Sequence, residues 1–325
     1  GTTRSAVVAN ELQQEQNIDV NGVILLSSVL NFDYGVDAPQ TNPGIDAPYV
    51  GALPTYAATA LFQHKLGSDV PQDTAGLVAE VTRFADTDYA AALLAGAALD
   101  PARRKQVAEQ VSRYTGLSTD YVMKANLRVN GMMFEHALLG GTGTTTGRFD
   151  TRYVGPSADP LAKEAEYDPQ SAAISSAYIS AFNDYCRRVL GYGGTTAYKP
   201  GITVEDWDMK HQQPGQTAEQ ASAGPVNVLP DLAAALVYDP NLHVLLNQGY
   251  YDLATPFHAG ELEMRHLPMP ASLQDRISIR RYEAGHMVYV NPDARRQLHD
   301  NVAAFIRQTE NVPGGEQKVV TPAAH

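Results

Sequence analysis

Asp252 and His286 are residues whose types and surroundings could do chemistry together. Asp252 lies in Asn247-Gln248-Gly249-Tyr250-Tyr251-Asp252-Leu253-Ala254-Thr255-Pro256, and His286 in Glu283-Ala284-Gly285-His286-Met287-Val288-Tyr289. Each directly follows a run that reads as a strand, Leu242 to Asn247 and Ile277 to Tyr282. In open α/β sheets, sites form beyond the carboxyl ends of strands. A serine hydroxyl is a poor nucleophile at neutral pH and requires a base. A histidine supplies that base, and an aspartate fixes its tautomer and stabilises the imidazolium. The pattern alone also admits a plainer reading. Asp252 could cap the helix that starts near Pro256, with His286 a loop histidine whose hydrogen bonds are satisfied.

The elements that must position these residues read as follows. Thr2 to Gln16 is amphipathic at helical spacing, with Val7, Val8 and Leu12 near one face. Gly22 to Leu30 is a short apolar run suited to a strand buried on both faces, as in a parallel sheet. Helices are expected over Pro54–Leu66, Ala75–Leu99, Pro101–Tyr114, Thr119–Asn130 and Ser171–Leu190, with a loop-like stretch from Gly140 to Asp168. Asp100 is a plausible N-cap, with Pro101 in the first turn. After Gly224 helix and strand alternate: Leu229–Tyr238, Leu242–Asn247, Pro256–His266, Ile277–Tyr282 and Pro292–Gln308. That alternation implies an α/β fold with a parallel-type sheet. The expected domains are a sheet core over 1–34 and 225–310, a mostly helical cap insertion over 35–224, and a disordered tail over 311–325.

A chain of 325 residues with 44% hydrophobic residues can bury a sizeable core. The net charge of −12, from 24 basic and 36 acidic residues, argues against nucleic acid as a partner, because phosphate binding needs clustered Lys and Arg. No stretch has the roughly 20 apolar residues of a membrane span, and no signal-peptide pattern opens the sequence. The one cysteine, Cys186, cannot form an internal disulfide and reads as a buried structural thiol.

Other candidates carry less. Ser27 and Ser28 end a strand run but lack the flanking glycines of a tight nucleophile turn, so they read as structural. Gly140 to Gly147 lacks the Lys-Ser/Thr ending and preceding strand of a phosphate loop. Seven other histidines, His64, His136, His211, His243, His258, His266 and His299, show no metal-ligand spacing, so neither metal nor cofactor is expected. Of the Tyr250-Tyr251 pair, one ring could face a cleft.

Asp before His, on loops after the last two strands, is the chain order of the α/β-hydrolase triad Ser, Asp, His. Gly249 to Pro256 resembles the Asp motif of serine carboxypeptidases, in which a Gly stands three residues before the acid and a Pro four after. Gly285-His286-Met287-Val288 resembles the His motif of the same family, bacterial members above all. Gly147-Arg148-Phe149-Asp150-Thr151-Arg152-Tyr153 and Trp207-Asp208-Met209-Lys210-His211 also resemble segments of those proteins. The likeness spans the chain to about Ile306. It implies the C-terminal part of an α/β-hydrolase with a large helical cap, in which Asp252 and His286 are catalytic. It also implies that Met287 lines the leaving-group pocket, where pattern alone gives ordinary packing equal standing.

The resemblance bears on the chain's start as well. The family's nucleophile turn reads Gly-Glu-Ser-Tyr-Gly and leads into a helix, and Gly1-Thr2-Thr3-Arg4 is similar to its last Gly and that helix. No Gly-x-Ser-x-Gly occurs within the chain. The expectation is a fragment, inactive by itself, whose serine stands just before Gly1. The upstream oxyanion donors and the groups that bind the substrate carboxylate lie outside the sequence too. An upstream segment or a second copy would complete its sheet, and the isolated chain would be marginal or aggregation-prone because an apolar strand edge is open. The implied activity is release of single residues from peptide C-termini through an acyl-enzyme, favoured at acidic pH, in the periplasm or outside the cell. The competing readings are an inactive binding or scaffold homologue, and an acyltransferase or esterase on the same frame.

Overall fold

The computed structural model describes residues 1–201, 208–221, 224 and 226–310. The disorder expected of 311–325 and the residue Trp207 lie outside the described residues. Helix α1 (Thr2–Gln16) ends where Asn17 turns left-handed and returns its N–H to Leu12. Strand β1 (Gly22–Leu26) follows. It is shorter than the apolar run, because Ser27 leaves the strand at φ 50°.

The intervening region is helical: α2 (Ala47–Phe62), α3 (Thr74–Phe84), α4 (Ala90–Ala95), α5 (Pro101–Thr115), α6 (Thr119–Lys124) and α7 (Gly131–Leu139). Three expectations are corrected here. Helix α2 begins seven residues before Pro54, because Pro48 already sits in its first turn and Asp46 precedes it. Its interior Pro54 is tolerated on a rod buried on nearly every side. The helix expected to Asn130 stops at Lys124, where Asn126 and Leu127 take positive φ. Asn130 then accepts from Met133 N at 2.8 Å and caps α7. The stretch expected as loop contains an antiparallel hairpin, β2 (Thr144–Thr146) with β3 (Val154–Pro156). Asp100 does cap α5, accepting from Arg103 N at 3.0 Å. Helix α8 (Pro169–Asp184) continues as a π-turn over Tyr185–Val189, and Cys186 there is half-buried rather than buried.

Then come α9 (Leu229–Tyr238), β4 (His243–Gly249), α10 (Phe257–Arg265), β5 (Ile277–Tyr282) and α11 (Pro292–Thr309). The fold is mixed α/β, mostly helical, with a small parallel sheet in the order β1-β4-β5. Val23 lies opposite Val244, and Val244 opposite Ile277. All but the first residue of β4 are buried, as a central parallel strand requires. Two large apolar clusters form. One joins α1, β1, α9 and β4 through Ala6, Leu25, Leu232 and Val244. The other joins α2, α3, α5 and α7 through Leu53, Leu77, Val111 and Phe134. They meet where Gly51 of α2 crosses α10, so closely that a Cβ at Gly51 would stand 2.8 Å from that of Ala259. No helix among the described residues is long and apolar enough to cross a membrane.

Candidate active site

The loops after β4 and β5 hold each other beyond the sheet. Tyr250 N donates to Tyr282 O and Tyr251 N to Ala284 O, both at 3.0 Å. A Cβ on Gly249 would run into the carbonyl oxygens of Ala284 and Gly285, so only glycine permits this approach. Three residues on, Asp252 is fully buried. Its Oδ1 accepts from Ala254 N and Thr255 N, each at 2.9 Å. Its Oδ2 accepts from Thr255 Oγ1 at 2.7 Å and faces His286 Nδ1 at 2.9 Å. Asp252 does not cap α10, whose first turn has no side-chain cap; one of its oxygens closes the turn before that helix, and the other faces the histidine.

His286 is fixed at its backbone from two directions. Its N–H donates to Phe149 O at 2.6 Å, and its carbonyl accepts from Ser27 Oγ at 2.6 Å. Gly285 must be glycine for the same reason as Gly249, since a Cβ would meet Phe149 O and the backbone of Asp150. The Phe149 ring tilts against the imidazole at 5.1 Å and 47°.

The hydrogen bonds assign the tautomer. Thr255 Oγ1 has one proton, which goes to Asp252 at the shorter distance. It then accepts from His286 Nδ1 at 3.2 Å. Nδ1 carries the proton, shared between Asp252 and Thr255, and the lone pair of Nε2 is left for a base. Burial pushes the His286 pKa down, but the charge and hydrogen bond of Asp252 outweigh burial and hold it above the ordinary value. Arg148 pulls it down. The turn after β1 holds the N-terminal end of α1. Thr2 and Thr3 anchor this end, both donating to Val29 O. Arg148 itself is held by Asp37 through two bonds of 2.9 and 2.6 Å.

Met287 lines a pocket of about 370 Å³ with Phe62, Arg152, Tyr153, Val290 and Pro292. Arg152 forms one wall, bound to Asp150 by bonds of 2.9 and 2.6 Å. Tyr251 is buried, its hydroxyl donating to Glu283 at 2.8 Å, while half-buried Tyr250 packs edge-on against Phe257. His211 pairs with Asp231 at 2.9 Å, well apart in sequence from the site. Among the described residues no group of three or more His, Cys, Asp or Glu could hold a metal ion. The sequence did not single out Thr255 or the Phe149 carbonyl, and it gave Ser27 a structural role without naming its partner. Thr255 left a trace, as the fourth residue of an Asp-x-x-Thr turn. Comparison with protein-family models, with curated proteins and with solved structures finds no match.

Proposed function

We propose that Asp252 and His286 are the orienter and base of a serine-type hydrolase on an α/β-hydrolase frame. The observation that carries the reading is the 2.9 Å contact between Asp252 Oδ2 and His286 Nδ1 at the carboxyl ends of adjacent parallel strands. His286 Nε2 would take the proton of a serine delivered at the N-terminal end of α1, as the oxygen bonds to the substrate carbonyl carbon. The same proton would pass to the departing amine. Asp252 would stay ionised throughout, stabilising the imidazolium. The positive N-terminal end of α1 is suited to the oxyanion that develops there.

Within that class the substrate is a peptide C-terminus, and the protein a serine carboxypeptidase. The support is the likeness of Gly249–Pro256 and Gly285–Val288 to that family's motifs, with Met287, next to His286, bordering a pocket of about 370 Å³. Restoring the upstream segment, with its Gly-Glu-Ser-Tyr turn and the donors before it, should give release of C-terminal residues from blocked dipeptides, and His286→Ala should abolish it. Undiminished release by that variant would overturn the assignment. One observation favours a binding or scaffold role instead: no Gly-x-Ser-x-Gly lies within the chain. An upstream coding sequence without a serine turn would decide for that role.

A further inference from the structure

Helix α8 leaves the body of the protein almost at once. Its first turn is fixed, because Asp168 caps it and also accepts from Arg148 N at 2.8 Å. Of its residues only Pro169 and Gln170, both in that turn, are buried. Yet the exposed length is not polar. Tyr178, Phe182, Tyr185 and Val189 are spaced by four, three and four residues, which puts them on one face of a helix. They remain 49%, 52%, 47% and 67% exposed. Ile179 and Leu190 beside them are exposed as well.

A stripe of this period on a convex rod fits another helix, because knobs at spacings of three and four interlock with the same spacing opposite. Within the described residues, α2, α3, α5, α9 and α10 already bury their apolar faces in the molecule's own clusters. No other helix of the described residues exposes more than two large apolar side chains, so the matching stripe is that of α8 in a second copy. We propose that the chain self-associates through this stripe, as a two-fold dimer in which each α8 covers the other.

Area and charge agree with that occupant. A fully covered aromatic side chain buries about 150–250 Å², and the three here are half exposed. With their aliphatic neighbours the stripe offers roughly 600 Å² per copy, so the pair comes to the lower end of specific interfaces, about 1,200 Å². The chain's charge of −12 would oppose association, but Pro169 to Leu190 carries only Asp184, Arg187 and Arg188. The contact is therefore spared concentrated like charge.

The test is sedimentation of the whole chain across a wide range of concentration. The wild type should pass from monomer to dimer. Tyr178→Glu and Val189→Glu, at exposed positions of the stripe, should each move the midpoint up by about tenfold or more with unchanged melting. Ile24→Lys serves as the control for the other open apolar feature, the outer edge of β1, where Ile24 is 39% exposed. It should leave the dimer intact. A wild type monomeric throughout, dimers indifferent to both Glu variants, or association abolished by Ile24→Lys would each overturn the proposal. No activity is measured, so the outcome is separate from that of the catalytic reading.

Discussion

His258 is the side chain whose loss should cost the fold most for its size. It is fully buried on α10, with Nε2 2.7 Å from Asp86 Oδ1 and Nδ1 3.3 Å from Glu261 Oε2. Asp86 belongs to the π-turn after α3, so the imidazole ties the helical cap to the helix that follows Asp252. With a carboxylate on each ring nitrogen, both nitrogens donate, and the ring is a cation. Arg265 also bonds Asp86 at 3.0 Å, and Arg281 bonds Glu261 at 2.5 and 2.8 Å. Arg281 also lies over the ring of Phe257, which packs against Tyr250.

Consider His258→Gln, which keeps hydrogen bonds and removes the charge. Breaking a buried ion pair from one side costs about 3–5 kcal/mol. Each carboxylate here retains an arginine, and Asp86 is partly exposed, so about 2–3 kcal/mol is the reasoned loss. At about 2 °C per kcal/mol for a chain of this size, the melting temperature should fall about 4–6 °C. Burial pushes the His258 pKa down, but Asp86 and Glu261 overcome this and hold it above the ordinary 6.5. A raised folded pKa means stability that is fully present below 6.5 and is lost as pH rises through the folded value. The gap between wild type and variant should therefore be widest near pH 6 and shrink on the alkaline side. Thermal melts at a series of pH values read this directly. A gap independent of pH, or one that grows as pH rises, would refute the charged clamp.

Two further outcomes follow from the site. Asp252→Asn removes the carboxylate that holds the His286 pKa up, so NMR titration of the imidazole should find it lowered, with activity of a serine-complemented chain down by about 10⁴-fold. Gly249→Ala drives a Cβ into two carbonyl oxygens, so denaturant melts should show about 1–3 kcal/mol of lost stability and the imidazole resonances should report a broken Asp252 contact; wild-type stability would refute the close approach.

The parts of the fold that could be read in the sequence were those with local causes. Val244 to Leu246 is apolar without alternation because β4 is covered on both faces, and the run itself says so. The cap at Asp100 needs only the four residues around it. The Asp and His loops were visible through their motifs, although the crowding that requires each glycine comes from afar, from Ala284 and Gly285 for Gly249 and from Phe149 and Asp150 for Gly285. What failed to show depends on distant partners. Thr144 to Thr146 carries too little apolar pattern to announce a strand, and it becomes one by pairing with Val154 to Pro156. The start of α2 was hidden by Pro54, which marks a helix start elsewhere but sits in an interior stabilised by burial all round. Ser27 and the Phe149 carbonyl hold His286 through chain folding alone, and no spacing in the sequence encodes that meeting.

The electrostatics around His286 bear on the acidic preference that the family likeness implies. A base works only when neutral, and Asp252 makes this one keep its proton beyond the ordinary range. Taken alone, the pair therefore suits neutral or higher pH. The forces opposing Asp252 within this chain are burial and Arg148. Arg148 is already neutralised by Asp37, and the burial of His286 is set by Phe149. A shift of the working range toward acid must therefore come from whatever stands at the N-terminal end of α1, through stronger positive potential or fuller desolvation at Nε2.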